Sequence, residues 1–351
     1  MFKSRAIRTP SILGLSFLSG VALAHHSLLT YDTSEIVEFE GEVTDVFWRN
    51  PHVRLIVRSV DEQGGERIRS AEGGPVNAME RAGIHQAVVS EGEHVRLFGN
   101  PSGISEDDVR LVMLTLADGR AFALDPDAAE ALGLVADASE VFRTSAAAAA
   151  IAAENTEVDG IFRVWTNRER HWTTRDARVW WAREHPLTES AQASLDAWDP
   201  ETDDLAKQCI PAGMPEAMLM PFPIEFVDRG DILVLNIEEW DNSRTIHLNA
   251  DPDADAPPSR LGYSVGRWED DTLIVETGRI DYPYFNDQGI PQSEELEIVE
   301  RFTLSENGTK LDWTATVTDP ETFTEPIVMP EFHWDWIPGQ EIKPYNCVVA
   351  E

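Results

Sequence analysis

The second half of the chain consists of short segments in which apolar and polar residues alternate, with turn residues between them. Eight such segments lie between Ile224 and Trp336. Alternation with a period of two is typical of strands that bury one face, and Asn307-Gly308 is the strongest hairpin signal in the chain. The pattern predicts an antiparallel barrel of the calycin or lipocalin type within residues 159–351. An open curved sheet packed on a helix is the alternative.

The first half of the chain predicts a smaller β-domain over residues 25–124. Five alternating segments are interrupted between the third and the fourth by a short helical run that follows Pro75 and stops at Gly83. Proline favours the first turn of a helix and glycine its end. This element order is that of an OB-like barrel. The fold class is therefore expected to be mainly β, with two barrels and a few helices.

A different composition separates the two predicted barrels. Residues 125–158 are rich in alanine and acidic residues, with an unbroken alanine run from Ala146 to Ala150. Because alanine favours helices, one interpretation is a helical linker or a helix on a domain surface. A flexible low-complexity segment is the other. Further on, Thr188 is expected to begin a helix that runs to Trp198.

The first 24 residues have the pattern of a secretory signal peptide. Lys3, Arg5 and Arg8 form a basic leader, an apolar stretch follows, and Ala22-Leu23-Ala24 is a small-x-small cleavage site. The mature protein is therefore expected in the periplasm or outside the cell. No stretch reaches the length of about 20 apolar residues that a transmembrane helix needs, so no membrane span is expected.

The chain is strongly acidic. It has 63 acidic and 28 basic side chains, with a formal net charge of −35 spread along its length. Such a surface repels nucleic acid and anionic lipid, so neither is expected as a partner. Solubility in a salty environment explains the charge, and a surface that collects cations is the other interpretation.

The only two cysteines are Cys209 and Cys347. Exported proteins fold in an oxidising environment, so we expect a disulfide between the middle of the chain and its end. A cysteine metal site is the weaker interpretation, because neither residue has another cysteine or a histidine nearby in the sequence.

Three histidines indicate a metal site near the mature N-terminus. Cleavage after Ala24 makes His25 the first residue, followed by His26, and His52 comes after a proline turn at the start of a strand. An N-terminal histidine offers both its α-amine and its imidazole, and copper binds such nitrogen ligands well. The set predicts a copper site, with zinc less favoured. Alternatively, the terminus is poorly ordered and His52 bonds a loop carbonyl.

A second group of polar residues lies within the predicted strands of the second barrel. Glu300 is predicted to lie on the same face of its strand as apolar residues, and His247 and His333 are predicted to lie in the middle of their strands. A carboxylate with two histidines inside a barrel indicates acid–base catalysis or ion binding. The alternative is a structural ion pair, since an isolated buried charge is costly. Available counter-ions are Arg244, Arg267 and Arg301.

Several motifs resemble a family of bacterial exported domains of unknown function. In the first half they are His25-His26-Ser27, Glu40-Gly41-Glu42-Val43, Trp48-Arg49-Asn50-Pro51-His52 and Leu116-Ala117-Asp118-Gly119-Arg120. The second half resembles the C-terminal region of larger members. Its matching stretches include Cys209-Ile210-Pro211-Ala212-Gly213-Met214-Pro215, Gly262-Tyr263-Ser264-Val265-Gly266-Arg267-Trp268 and Tyr345-Asn346-Cys347. The resemblance implies no activity. Asp270 departs from it, since the family usually has glycine there.

These features favour an exported metal-binding protein, with copper held by His25 and His52 and with His26 as an alternative or third ligand. The second hypothesis places a small apolar ligand, or acid–base catalysis by Glu300 with His247 or His333, in the C-terminal barrel. A third hypothesis is a structural envelope protein that binds protein partners.

Overall fold

The structure is a computed structural model that describes most of the chain from Tyr31 onwards. The described residues are 31–61, 64–81, 84–123, 133, 160–166, 185–199, 202–219, 222–251, 255–305, 308–329, 331–336 and 338–349. The predicted signal peptide, His25, His26 and nearly all of the 125–158 segment lie outside them. Within the described ranges, no helix has both the length and the apolar character needed to cross a membrane.

The N-terminal part forms a closed five-stranded barrel. Its elements are β1 (Val37–Phe47), β2 (Arg54–Val60), β3 (Glu66–Glu72), α1 (Val76–Arg81), β4 (His94–Pro101) and β5 (Asp108–Leu116), with β6 (Ala121–Ala123) added beside β5. The order β3-β2-β1-β4-β5 closes through a parallel contact between β3 and β5. The predicted OB-like barrel, with its helix between the third and fourth strands, is confirmed.

The C-terminal part forms a larger closed barrel of nine strands. Its elements are β7 (Val164–Thr166), α2 (Glu189–Ala197), β8 (Ile224–Asp228), β9 (Ile232–Ile237), β10 (Asn242–Leu248), β11 (Tyr263–Glu269), β12 (Thr272–Gly278), β13 (Glu297–Leu304), β14 (Lys310–Thr318), β15 (Ile327–Val328) and β16 (Phe332–Trp336). The sheet runs β13-β12-β11-β10-β9-β8-β7-β16-β14 and closes between β14 and β13. The predicted closed barrel is therefore confirmed, and the alternative of an open curved sheet is not.

The C-terminal barrel departs from the predicted meander at three points. The strand β7 comes from a tryptophan- and arginine-rich stretch that alternation did not mark, and the last predicted strand splits into β15 and β16. The contact between β10 and β11 is parallel. The chain between these two strands is long enough for the crossover that a parallel pair requires, which takes a dozen residues or more.

Helix α2 begins where its capping residue predicts. The Thr188 hydroxyl accepts a hydrogen bond from the Ala191 amide at 3.2 Å, so one of the unpaired amides of the first turn is satisfied. The helix ends at Ala197, one residue before Trp198.

Backbone geometry explains why glycine occurs at position 41 and why the resemblance leads one to expect glycine at position 270. A Cβ atom at Gly41 would overlap the carbonyl oxygen of Arg58 on the neighbouring strand, so the tight barrel requires glycine there. Asp270 turns the chain between β11 and β12 with a φ of 52°. Glycine adopts this left-handed conformation without cost and aspartate tolerates it, which accounts for the glycine expected from the resemblance.

Candidate functional site

A cleft between the two barrels is the best candidate for a functional site. It encloses a cavity of about 220 Å³. The N-terminal barrel contributes the end of the β1–β2 turn and the end of β3, with His52 and Glu72 in the wall. The C-terminal part contributes the turns around Asp204, Glu216 and Glu239, the loop before β13, and the chain end near Tyr345. Each wall thus comes from a different domain.

Asn50 connects the two walls. Its side-chain carbonyl accepts from the Val76 amide at 2.8 Å, and its amide group donates to the carbonyl of Tyr345. Its backbone carbonyl accepts from Val348 at 3.1 Å. The Asn50-Pro51-His52 motif of the first half therefore docks onto the Tyr345-Asn346-Cys347 motif of the second, so the two sequence signatures meet at one interface.

A buried carboxylate completes the same interface. Glu238, which is fully buried, accepts from the Asn77 side chain at 3.0 Å and from the Lys343 amide at 2.8 Å. Arg81 of helix α1 donates to both of its oxygens. A bidentate arginine pair adds geometric specificity to its energy, so this contact holds the orientation of one barrel on the other.

The chain end that forms part of the cleft is covalently anchored. Cys209 and Cys347 form a disulfide, as predicted, with their Cα atoms 5.8 Å apart. The bond ties the segment carrying Tyr345 to the segment that carries Asp204 and Glu216. Two parts of the cleft wall that lie far apart in the sequence are thereby held together.

Acidic side chains dominate the polar part of the cleft wall. They are Glu72, Asp203, Asp204, Glu216, Glu239 and Asp287, and the basic residues of the wall are His52 and Arg110. Glu216 is 4% exposed and Glu239 is 6% exposed. Within the described part of the chain, one carboxylate oxygen of Glu239 (Oε2) and the side-chain nitrogen of Asn286 have no hydrogen-bond partner. Such buried unsatisfied groups are rare in proteins and require an explanation.

Burial and mutual repulsion raise the pKa values of these acids. Burial raises the pKa of Glu239 to about 8, with Asp287 adding to the effect. The pKa of Glu216 lies well above its usual range because of burial, and then because of Asp287, Glu239 and Asp204. Burial also raises the pKa of Asp204 to about 6. Desolvation disfavours the charged form of a carboxyl group, so part of this wall is protonated near neutral pH.

Aromatic rings form the apolar part of the wall. The Trp240 and Tyr345 ring centroids are 5.0 Å apart, and Trp198 packs edge-on against Tyr284 at 6.4 Å. Tyr282 contacts Tyr284 edge-on as well. Burial raises the pKa values of Tyr282 and Tyr345 above the ordinary tyrosine value, so their rings remain neutral.

The backbone beside Glu239 is strained. Trp240 has a φ of 58° and Asp241 a φ of 52°, a left-handed conformation that costs a bulky residue about 1–3 kcal/mol. The Asp241 carboxylate accepts from the Tyr345 amide at 2.9 Å and so helps to hold the turn. Strain of this kind concentrates at functional sites, and here it directs the Trp240 ring into the cleft.

His52, the predicted metal ligand, lies in the cleft wall. Its Nδ1 atom is 3.0 Å from Oε1 of Glu72, and the other Glu72 oxygen is 3.0 Å from Arg54. The carboxylate therefore orients the imidazole. His25 and His26 lie outside the described residues, and among the described ones no three His, Cys, Asp or Glu side chains are placed to hold a metal ion.

The three candidate catalytic residues of the second barrel do not come together. Glu300 is fully buried and receives two hydrogen bonds from Arg244 and one from Trp313. His247 lies between the buried Ile246 and the half-buried Leu248, on the opposite face to Arg244, and stacks on Tyr263. His333 alternates with two buried residues, Phe332 and Trp334, and so also faces outward. Glu300 is paired with arginine, and both histidines lie on the outer face.

Sequence reasoning missed the acidic wall. One signal marks part of it: Glu216 is the only charged residue between Ile210 and Ile224. A lone acid in an apolar run is expected to be buried, and a buried carboxyl must be paired, protonated or liganded. Asp204, Glu239 and Asp287 lie among other polar residues in turns and loops, where local patterns do not separate them from solvent-exposed acids.

Comparison with known proteins supports the resemblance for the first half. Residues 14–107 match the model of a family of unknown function, DUF6152. The N-terminal region is similar to this family. The match includes the His25-His26-Ser27 and Asn50-Pro51-His52 motifs and ends just before β5, so the C-terminal barrel lies beyond it. No curated protein matches the chain.

The raised pKa of Glu239 predicts how stability depends on pH. The folded protein keeps this proton up to about pH 8, whereas the unfolded chain releases it near its ordinary value of 4.5. The folded state then binds more protons between these values, so the free energy of unfolding falls as pH rises. Glu239→Gln has no charge to bury and is expected to become more stable than the wild type as pH rises through this range.

Chemical denaturation of both proteins at pH 5, 6, 7 and 8 measures this difference. Glu297→Gln, at an exposed position of β13, is the control and is expected to follow the wild type. A constant difference between Glu239→Gln and wild type across the range would contradict the raised pKa.

Proposed function

We propose that this protein, after export, binds a small organic molecule in the cleft between its two barrels. The observation that carries the proposal is the Glu239 carboxyl group, which is buried in the cleft wall with one oxygen lacking a hydrogen-bond partner among the described residues. A polar group of a bound molecule would satisfy this oxygen. Asn286, whose side-chain nitrogen also lacks a partner there, offers a donor in the same wall.

The position of the cleft supports the same proposal. Ligand sites occur preferentially between domains and combine aromatic walls with a few polar groups, as this cleft does. The interior of the C-terminal barrel is filled by large side chains, among them Trp165, Trp313 and Trp334. We therefore place the ligand in the cleft instead of inside that barrel.

Filling the cleft tests this proposal. Ala206 lines the cavity, so Ala206→Trp is expected to block it, while Ala121→Trp on the exposed strand β6 is the matched control. Native mass spectrometry of the protein as purified, followed by a thermal-shift screen of small molecules, identifies ligands. Each ligand is expected to raise the melting temperature of the wild type and the control but not that of Ala206→Trp. Ligands that stabilise Ala206→Trp equally would place the binding site elsewhere.

A second proposed function is copper binding at the mature N-terminus, and the contact between His52 and Glu72 favours it. Metal-bound histidines commonly direct their second ring nitrogen at a carboxylate, which fixes the ring and strengthens the ligand. With Nδ1 directed at Glu72, Nε2 is the ligand atom that this orientation offers. His25 would supply its amine and imidazole, with His26 as an alternative or third ligand, and copper suits these nitrogens better than zinc.

Metal analysis of the natively exported protein tests the copper site. We expect about one copper per protein molecule whose N-terminus is His25, verified by N-terminal sequencing. One extra residue before His25 is expected to abolish tight binding, and Glu72→Gln to weaken it by about 10- to 100-fold. His94→Ala, at an exposed position of β4, is the control. Undiminished binding by the extended protein would reject the terminal amine as a ligand.

A further inference from the structure

We infer that the ligand of this cleft is a small organic cation, bound between the carboxylates of Glu216 and Glu239 and the aromatic wall. The inference rests on the proposed ligand site and specifies its chemistry.

The two buried acids, Glu216 and Glu239, are surrounded by further acidic side chains. Glu216 and Glu239 share the cavity wall with Asp204 and Asp287, and Asp287 adds to the burial that raises the pKa values of both glutamates. All of these are carboxylates. Two acids, each more than nine-tenths buried, therefore lie next to further acids without a counter-ion among the described residues that act on them. A bound cation would supply the missing charge, since an opposite charge within about 4–6 Å favours the ionised form.

The acidic side chains are distributed along the cavity wall and do not converge on one point. Within the described ranges, no three acidic, histidine or cysteine side chains are close enough to ligate one metal ion. The negative charge is distributed along the cavity wall instead. This distribution fits a cation whose charge is carried on a bulkier organic group, such as a substituted ammonium ion.

The aromatic rings carry the third step. Trp240, Tyr282 and Tyr345 line the same cavity as the two acids. Aromatic faces attract organic cations, most strongly where the site is desolvated, and cages of such rings recognise quaternary ammonium groups. The two tyrosines stay neutral, since burial raises their pKa values, and so present uncharged faces. The basic residues of the cavity wall, His52 and Arg110, come from the N-terminal barrel, whereas an anion placed beside the two acids and these rings would be repelled by the acids.

The size of the cavity limits the ligand. Its volume of about 220 Å³ lies below the range of roughly 300–1,000 Å³ that is usual for drug-sized molecules. The cation is therefore a small one, comparable to a substituted ethylamine.

Isothermal titration calorimetry with matched probes tests the charge of the ligand. The cations are choline and tetramethylammonium, each compared with its neutral carbon isostere, 3,3-dimethylbutan-1-ol and neopentane; the anion is 3,3-dimethylbutanoate. Full-length mature protein at pH 8 is expected to bind at least one cation more than tenfold tighter than its isostere and not to bind the anion. Equal or tighter binding of the isosteres, or no binding of either cation, would overturn the inference.

Variants of the two acids test where the cation binds. Glu216→Gln and Glu239→Gln keep the shape of the side chains and remove their charge, so each is expected to weaken cation binding more than tenfold. The affinity for a neutral isostere should not change, which distinguishes a lost charge from a damaged fold. Glu297→Gln is the control. Cation binding that is unaffected by either substitution would contradict the assignment.

These experiments separate this inference from the proposed function. If neutral molecules bind in a manner blocked by Ala206→Trp while cations do not, the cleft remains a ligand site and the charge assignment fails. If no molecule in the panel or the screen is sensitive to Ala206→Trp, both proposals fail.

Discussion

Glu300→Gln is expected to lower the free energy of unfolding by about 3–5 kcal/mol, the usual loss when one partner of a buried ion pair is removed. Arg244 is 2% exposed, and it donates to both Glu300 oxygens as well as to the hydroxyls of Ser264 and Thr277. Without the carboxylate, its charge remains in the barrel interior without compensation. Denaturation followed by tryptophan fluorescence and far-UV circular dichroism measures the loss.

Two further variants make this experiment specific. Glu297→Gln lies on the same strand at an exposed position and is expected to change stability by less than about 0.5 kcal/mol. In Arg244→Leu combined with Glu300→Gln both charges are absent, so this protein should be more stable than Glu300→Gln alone. A loss below about 1 kcal/mol in Glu300→Gln would contradict the structural role of this ion pair.

Removal of the disulfide by Cys209→Ser with Cys347→Ser is expected to cost about 2–5 kcal/mol, because the closed loop is long and its entropy is regained in the unfolded chain. The sequence separation is 138 residues. The same substitutions release the segment of Tyr345, which forms part of the cleft and bonds Asn50. Ligand affinity in the cleft should therefore fall together with stability.

A reductant provides the control for the disulfide. It is expected to lower the melting temperature of the wild type towards that of the double serine variant and to leave the variant unchanged. An equal melting temperature for the oxidised wild type and the double variant would show that the bond adds nothing to stability.

The mainly β fold was predictable because strand alternation is a local property. Apart from β7, the strands of the two barrels appear in the sequence as short periodic segments separated by turn residues, and the N-cap of helix α2 at Thr188 is equally local. The contact between β10 and β11 was not predictable in this way, since its parallel direction depends on how the chain between the strands crosses the barrel.

Alternation along a strand correctly predicted which face Glu300 occupies, but it could not predict whether Glu300, His247 and His333 lie together. It placed Glu300 on the apolar face, where the structure pairs it with Arg244, one of the three arginines considered. His247 and His333 lie on the outer face because their neighbours Ile246 and Trp334 fill the interior. Alternation relates residues within one strand, but it does not show which residues of different strands meet.

The sequence by itself determined the two β-domains and the buried position of Glu300, because both follow from the alternation of apolar and polar residues along single strands. It also determined the disulfide, because the chain has only two cysteines and they have no other cysteine to pair with. Only the tertiary structure decided that His52, Glu216, Glu239 and Tyr345 share one cleft. These residues come from segments far apart in the chain, and they meet because the barrels close and dock through Asn50. Their common environment, and with it the raised pKa values of the two glutamates and the tyrosine, arises from that long-range packing.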